Sequence, residues 1–274
     1  MEVTGFPVQG GAGSAPKNDV LPDVISASGL SLAFGGVKAV DDMAITLRRG
    51  EFLGLIGPNG AGKTTLFNML AGTYKPQAGS VLIHGQEAAR RNAASRVGMG
   101  LGRTFQIPKP FPQMTVLENV LTGAQRQSGE TIVSNFVRFG KVAAEERVAI
   151  DKAKGILEFV KLQHLMHEPA RVLSGGQRKL LELARVLMAD PSILLLDEPA
   201  AGVNPALLEF IIDRVLALNA QGKSILLIEH NMDMVTRLCH RVVVMAGGKY
   251  LTEGPPQMVA QNPVVIEAYL GAAA

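Results

Sequence analysis

The segment GPNGAGKTT, Gly57 to Thr65, decides how the rest of the chain is read. It fits the pattern G-x-x-x-x-G-K-[ST] and has the flanks that this pattern requires. The apolar stretch EFLGLI precedes it at residues 51–56, and LFNMLAG follows at 66–72, reading as a helix that ends at Gly72. An incidental glycine-rich turn would need neither flank. Gly57, Gly60 and Gly62, with Pro58, Asn59 and Ala61 between them, let the backbone curl until several N–H groups face one phosphate. Lys63 then places a cation between a β- and a γ-phosphate. The Thr64 hydroxyl can ligate Mg²⁺, and Thr65 continues the helix. Strand, phosphate loop and helix in this order make a P-loop NTPase core, an α/β fold.

Other segments converge on the same chemistry. SILLLDEP at 192–199 is an unbroken apolar strand ending in Asp197, where a carboxylate can reach a Mg²⁺ held at the neighbouring loop. Two adjacent carboxylates could be a solvated strand end. Beside a phosphate loop, Glu198 becomes the group that polarises an attacking water, help of a kind that contributes about 10²–10⁴ in rate. His230 follows a second apolar strand, SILLIE, and Gln106 ends RTFQ before a proline-broken loop. Taken singly, His230 reads equally as a satisfied polar residue and Gln106 as an ordinary loop glutamine. LSGGQRKLLELARVL at 173–187 opens an amphipathic helix with Ser174, Gly175, Gly176 and Gln177. Its first N–H groups lie at the positive end of the helix dipole, which suits an anion. Ser174 also reads as a plain helix cap. One chain thus carries two anion-binding glycine loops.

Composition bounds the rest. The 274 residues suit one large domain or two small ones, with 47% hydrophobic and 19% charged residues. The net charge of +3 comes from scattered Lys and Arg, which is compatible with a nucleotide, anionic lipid or neither and is weak evidence for nucleic acid; no nucleic acid partner is expected. The single cysteine, Cys239, allows no internal disulfide and reads as a buried small hydrophobe at a helix end. The five histidines show no metal-ligand spacing. No apolar run approaches the roughly 18 residues of a membrane span, and no signal peptide is visible, so the cytosol is the default.

Residues 1–22 read as a flexible tail, rich in Gly, Pro and Ser. From Val24 to Gly57 the pattern is β, with Gly35-Gly36 as a hairpin turn. SVLIHG reads as a strand, and VGMGLGRTF as another. From about 107 to 189 the texture is helical. TVLENVLTGAQRQ starts with a threonine cap and Glu118 at the capping-box position, and Ile150, Ala153, Leu157 and Val160 recur at helical spacing. After Pro191 strands and helices alternate again. The expectation is a cassette over 23–274. It has a mainly parallel sheet, an antiparallel β subdomain near its start, and a helical subdomain inserted into the core.

Read together, GPNGAGKTT, Gln106, LSGGQ, SILLLDEP, AGVNP and His230 occur in an order that resembles the nucleotide-binding subunit of an ABC transporter. The resemblance runs from about Val24 to the C-terminus. It implies ATP and Mg²⁺ as cofactors, and a second ATP-binding subunit, identical or paralogous, packed head to tail. The Ser174–Gln177 loop of one chain would cap the γ-phosphate held by the Gly57–Thr65 loop of the other. ATP would close that dimer and hydrolysis reopen it. By position, Thr64, Asp197 and Gln106 would hold the metal. Gln106 would also sense the attacking water, and His230 would contact the γ-phosphate. Phe34 would stack on adenine; it reads equally as a strand core residue. Asn204 stands where the family often has aspartate, which puts a cross-dimer ion pair there in doubt.

The segment IPKPFPQMTVLENVLTGAQRQSG after Gln106, the AAGVNP stretch and the end NPVVIEAYLG resemble ATP-binding subunits of branched-chain amino acid importers. That implies integral membrane permease subunits, a separate solute-binding protein, and a peripheral place on the cytoplasmic face of the membrane. The apolar loop Ile107–Met114, Phe111 included, would form the docking surface. Related subunits serve urea or short-amide uptake, or lipopolysaccharide export. A GTPase or P-loop kinase would lack LSGGQ. A ribosome-acting protein would carry two cassettes, and a DNA-repair ATPase a long coiled-coil insertion. A non-enzymatic binding module would lack Glu198.

Overall fold

The computed structural model describes residues 21–104, 109–125 and 139–271. The tail expected over 1–22 lies outside them apart from Leu21 and Pro22, and so does Gln106.

Two sheets organise the chain. Strands β1 (Asp23–Phe34) and β2 (Val37–Arg48) form the expected hairpin, pairing Phe34 with Val37 across the turn. Gly35 and Gly36 both have positive φ, 53° and 88°, as a two-residue turn matched to strand twist demands. With β4 (Ala78–Ile83) and the short β5 (Gln86–Glu87) they make an antiparallel sheet in the order β2-β1-β4-β5. The second sheet holds β3 (Phe52–Ile56), β6 (Leu101–Arg103), β7 (Ile193–Asp197), β8 (Ser224–Ile228), β9 (Arg241–Ala246) and β10 (Lys249–Gly254). Its order is β10-β9-β3-β8-β7-β6, parallel throughout except for the β9–β10 hairpin.

The unbroken apolar runs follow from burial on both faces. Side chains alternate across a strand, so Leu53 and Leu55, Ile193 and Leu195, and Leu226 and Ile228 enter one core with the antiparallel sheet and α1 (Lys63–Ala71). Leu194 and Leu196, Ile225 and Leu227, and Val242 and Val244 enter the other. That second core receives α3 (Val116–Leu121), α4 (Phe139–Phe159), α5 (Gly175–Met188), α6 (Pro205–Ala220) and α7 (Met232–Leu238). Ala153, Leu157 and Val160 are fully buried there, as their spacing predicts, while Ile150 is half-buried. Cys239 is buried at the end of α7, and burial pushes its thiol up to about 12. The chain closes with α8 (Pro256–Ala260) and α9 (Pro263–Gly271).

Two local expectations change. VGMGLGRTF is not one strand: only Leu101–Arg103 pair with β7, and Val97 ends α2 (Ala93–Val97), whose first turn is capped by the Asn92 side chain. The helix begun by Thr115 has the full capping box with Glu118 but stops at Leu121. There the chain runs against α5: a Cβ on Gly123 would land on the Arg185 carbonyl oxygen.

Candidate functional site

The loop 57–62 leaves β3 and turns into α1. Gly62 has φ 94°, and a Cβ on it would collide with the Ala39 carbonyl oxygen of β2, so no other residue fits that turn. No side chain caps α1, whose N-cap is Gly62. The helix starts with N–H groups that an anion can take, at the positive end of its dipole. Lys63 is buried, and its Nζ donates to the carbonyls of Gly57 (2.6 Å) and Pro58 (2.9 Å). Burial holds its pKa below the usual lysine value, against the opposing charge of Glu198. Tyr269 on α9 reaches the same loop: burial raises its pKa, and a hydrogen bond from the Gly57 backbone works against the rise.

Strand β8 pairs with β3 and β7 with β8, all in parallel, so the ends that carry the carboxylates lie along the same edge of the sheet as the phosphate loop. Asp197 is only 5% exposed. Its backbone N–H donates to Thr104 Oγ1 (3.3 Å), and its Oδ2 accepts from Arg103 Nη2 (3.4 Å). Burial raises its pKa and Glu198 adds to the rise, while the Arg103 charge pulls it down. Glu198 sits at φ 46°, a conformation uncommon outside glycine and a mark of strain. Its N–H donates to the Ile228 carbonyl (2.9 Å). Its Oε1 lies 2.8 Å from His230 Nε2, so the structure brings together two residues that the sequence placed 32 positions apart. Lys179 on α5 donates to the carbonyls of Glu198 (3.1 Å) and Pro199 (3.3 Å). Buried Glu229 ties the two loops: its carboxylate accepts from the N–H groups of Ala200 (2.7 Å) and His230 (3.0 Å).

The second glycine loop is built differently. Ser174 Oγ accepts from the Gln177 N–H (3.3 Å), and Gln177 Oε1 accepts from the Ser174 N–H (2.9 Å), a reciprocal cap on α5. Ser174 and Gly175 are exposed, and a Cβ on Gly175 would meet nothing within 4 Å. Gly176 is different: a Cβ there would strike Leu207 of α6. Among the described residues, no hydrogen bond or ion pair joins Ser174–Gln177 to Gly57–Thr65.

Phe34 ends β1 half-exposed, with its ring edge-to-face against Tyr74 at 5.5 Å between centroids. Asn204 caps α6 by accepting from the Leu207 N–H (2.8 Å), a role asparagine fills as well as aspartate does. Phe111 is exposed under the Arg185 guanidinium, 5.1 Å from its ring centre. Sequence reading passed over Arg103, Tyr74, Lys179 and Glu229. The first and third lie inside the RTFQ and LSGGQRK stretches, but only their partners reveal them.

No group of three or more His, Cys, Asp or Glu among the described residues could hold a metal alone. Mg²⁺ does not ask for one. It takes hard oxygen donors, usually one or two from the protein, and completes its shell with water and phosphate. The Thr64 hydroxyl and the buried Asp197 carboxylate fit that donor set. No helix among the described residues is long and apolar enough to cross a membrane.

The chain matches the ABC transporter family over residues 40–201 and the branched-chain amino acid ATP-binding cassette transporter family over 251–274. It is 41% identical over 249 residues to the probable branched-chain amino acid transport ATP-binding protein LivG of Archaeoglobus fulgidus, covering 91% of this chain and 96% of that one. It is 38% identical over 251 residues to the high-affinity branched-chain amino acid transport ATP-binding protein LivG of Escherichia coli K12, covering 91% and 98%. Among solved structures, the ADP conformation of MJ1267, an ATP-binding cassette of an ABC transporter, superposes with a TM-score of 0.79 at 38% identity, over 91% of this chain and 99% of that one. A strand-borne phosphate loop, an acidic strand end and a self-capped glycine loop, in a chain so related, have one reading: the protein belongs to the ABC transporter family, as an ATP-binding and ATP-hydrolysing subunit of a membrane transporter.

Proposed function

We propose that this subunit energises uptake of branched-chain amino acids, as the names of its relatives suggest. It works with integral permease subunits, a separate solute-binding protein and a second ATP-binding subunit, at the cytoplasmic face of the membrane and without nucleic acid. The helical segment of about 107–189, which carries exposed Phe111 and Met114, docks on the permease.

The observation that carries the catalytic reading is the 2.8 Å contact between Glu198 and His230 at the sheet edge beside the phosphate loop. Glu198 takes the proton of the attacking water, and His230 holds the Glu198 carboxylate in place and contacts the γ-phosphate. The residues of Gly57–Thr65 bind the phosphates, with Lys63 exchanging its carbonyl partners for phosphate oxygens. Thr64, Asp197 and Gln106 hold Mg²⁺, which neutralises phosphate charge when bound. Phe34 stacks on adenine. The Ser174–Gln177 loop, exposed and separate from its own phosphate loop, closes on the γ-phosphate of a partner subunit. Hydrogen bonds to so charged a group are roughly twice as strong as neutral ones, so loss of the γ-phosphate opens the pair.

The test is reconstitution with the membrane subunits that co-purify in mild detergent, followed by ATP-driven uptake assays. Uptake of leucine, isoleucine and valine is expected. Uptake of urea without these amino acids would overturn the substrate assignment.

A further inference from the structure

We propose that Arg103 is a positioning residue for the metal centre, fixing the spacing between the two side chains, Thr64 and Asp197, that flank the ion. This rests on the metal reading given under the proposed function.

The guanidinium is held on three sides. Its Nη1 donates to Asn68 Oδ1 (2.6 Å) and Thr73 Oγ1 (3.2 Å), and its carbon lies 5.0 Å from the centre of the Phe67 ring. Those partners belong to α1 and the turn that ends it. Nη2 donates to Oδ2 of Asp197 at 3.4 Å. Asp197 is buried and Arg103 nearly so, with side chains 5% and 11% exposed. Asn68 is four residues after Thr64 on α1, and such positions lie on one face of a helix. The fork therefore spans the two supports of the site. One tooth is fixed to the helix that carries Thr64, and the other to the carboxylate at the end of β7. Arg103 engages one oxygen of Asp197 and leaves Oδ1 available to a ligand. A lysine has no planar fork and cannot make both bonds in this geometry.

Groups that orient a metal ligand from behind typically change metal affinity by about 10–100-fold when removed. A positioning role therefore separates metal binding from nucleotide binding, which a merely structural role would not do. The experiment uses the full chain in a Glu198→Gln background, so that ATP is not consumed. ATP affinity is measured in excess EDTA. Mn²⁺ affinity of the ATP-loaded protein is then measured from the paramagnetic resonance of free Mn²⁺. Arg103→Gln is expected to bind ATP in EDTA within about twofold of its parent and to bind Mn²⁺ about 10–100-fold more weakly. Arg103→Lys should recover part of the loss. Asn68→Ala, which frees the fork from α1 and leaves Asp197 untouched, should lose Mn²⁺ affinity in the same direction and by less.

Unchanged or tighter Mn²⁺ binding in Arg103→Gln would overturn the proposal. So would an equal fall in ATP affinity without metal. If Arg103→Gln fails to fold, Asn68→Ala decides, and normal Mn²⁺ affinity there is fatal. Asp197→Asn and Thr64→Ala serve as controls: if neither weakens Mn²⁺, the metal reading itself has failed, independently of Arg103.

Discussion

The two glycine loops contain similar residues and are built on opposite terms. The loop from Gly57 to Gly62 is wedged between strands, with Gly62 against the Ala39 carbonyl and Lys63 folded onto the loop's own carbonyls. Ser174 and Gly175 stand in the open, and their helix start is satisfied by its own serine and glutamine. At Gly57 and Gly62 of the first loop, glycine is forced by the space within the chain. At Gly175 a Cβ would meet nothing within 4 Å, so space within the chain does not demand glycine there, and the proposed function assigns its smallness to the approach of a partner's nucleotide. A crowded glycine such as Gly62 is a folding requirement, whereas at Gly175 the chain itself sets none.

Adding one methyl group in each place tests this contrast most sharply. Gly62→Ala should destabilise the fold by about 2–6 kcal/mol, combining about 1–3 for positive φ with about 1–3 for overpacking, and abolish ATP binding. Thermal unfolding and nucleotide titration check it, and a normal melting point would mean that the loop is not pre-shaped by its neighbours.

Glu198→Gln should lower the rate of hydrolysis by about 10²–10⁴-fold while ATP binding and ATP-dependent dimerisation persist. Single-turnover hydrolysis and sedimentation measure the two separately. Wild-type turnover would place the base elsewhere.

Gly175→Ala should do the reverse of Gly62→Ala. Alanine favours the helix over glycine by about 1 kcal/mol, so the isolated subunit should melt slightly higher, yet hydrolysis should fall because the partner's nucleotide no longer fits. A variant with both stability and hydrolysis unchanged would remove the idea that this surface receives a γ-phosphate.

Cys239 provides the smallest effect. Burial pushes its pKa up to about 12, against a usual value near 9. At pH 8 the native thiol should therefore resist alkylation and react only once the chain is unfolded. The folded state keeps its proton longer than the unfolded chain, so this group costs stability as pH rises from about 9 toward 12. Rapid alkylation of native protein at pH 8 would show that the end of α7 is open.

Much of this is legible in the sequence, because it is written in local signals. Positive-φ glycines, capping boxes and apolar strands each depend on neighbours a few residues away, and Thr115–Glu118, Ser174–Gln177 and β7 all stand where the sequence puts them. What escaped was long-range or crowded. Arg103 acts through Asn68, 35 residues away, and Asp197, 94 away, and nothing in RTFQ announces either partner. Tyr74 meets Phe34 only because α1 returns the chain to the end of β1. The short helix at Ala93–Val97 was hidden because its Asn92 cap lies in a run without clear periodicity. Asn204 departs from the aspartate that the family often has, and its capping bond is one that either residue makes.

The grip of Glu229 has a consequence for how this cassette can be altered. One buried carboxylate is shared by the backbone after β7 and the backbone after β8, through Ala200 on one side and His230 and Asn231 on the other. The two connections are therefore a single mechanical part. Segments exchanged with a relative should travel in matched pairs, and paired changes across this clasp should give effects that do not add.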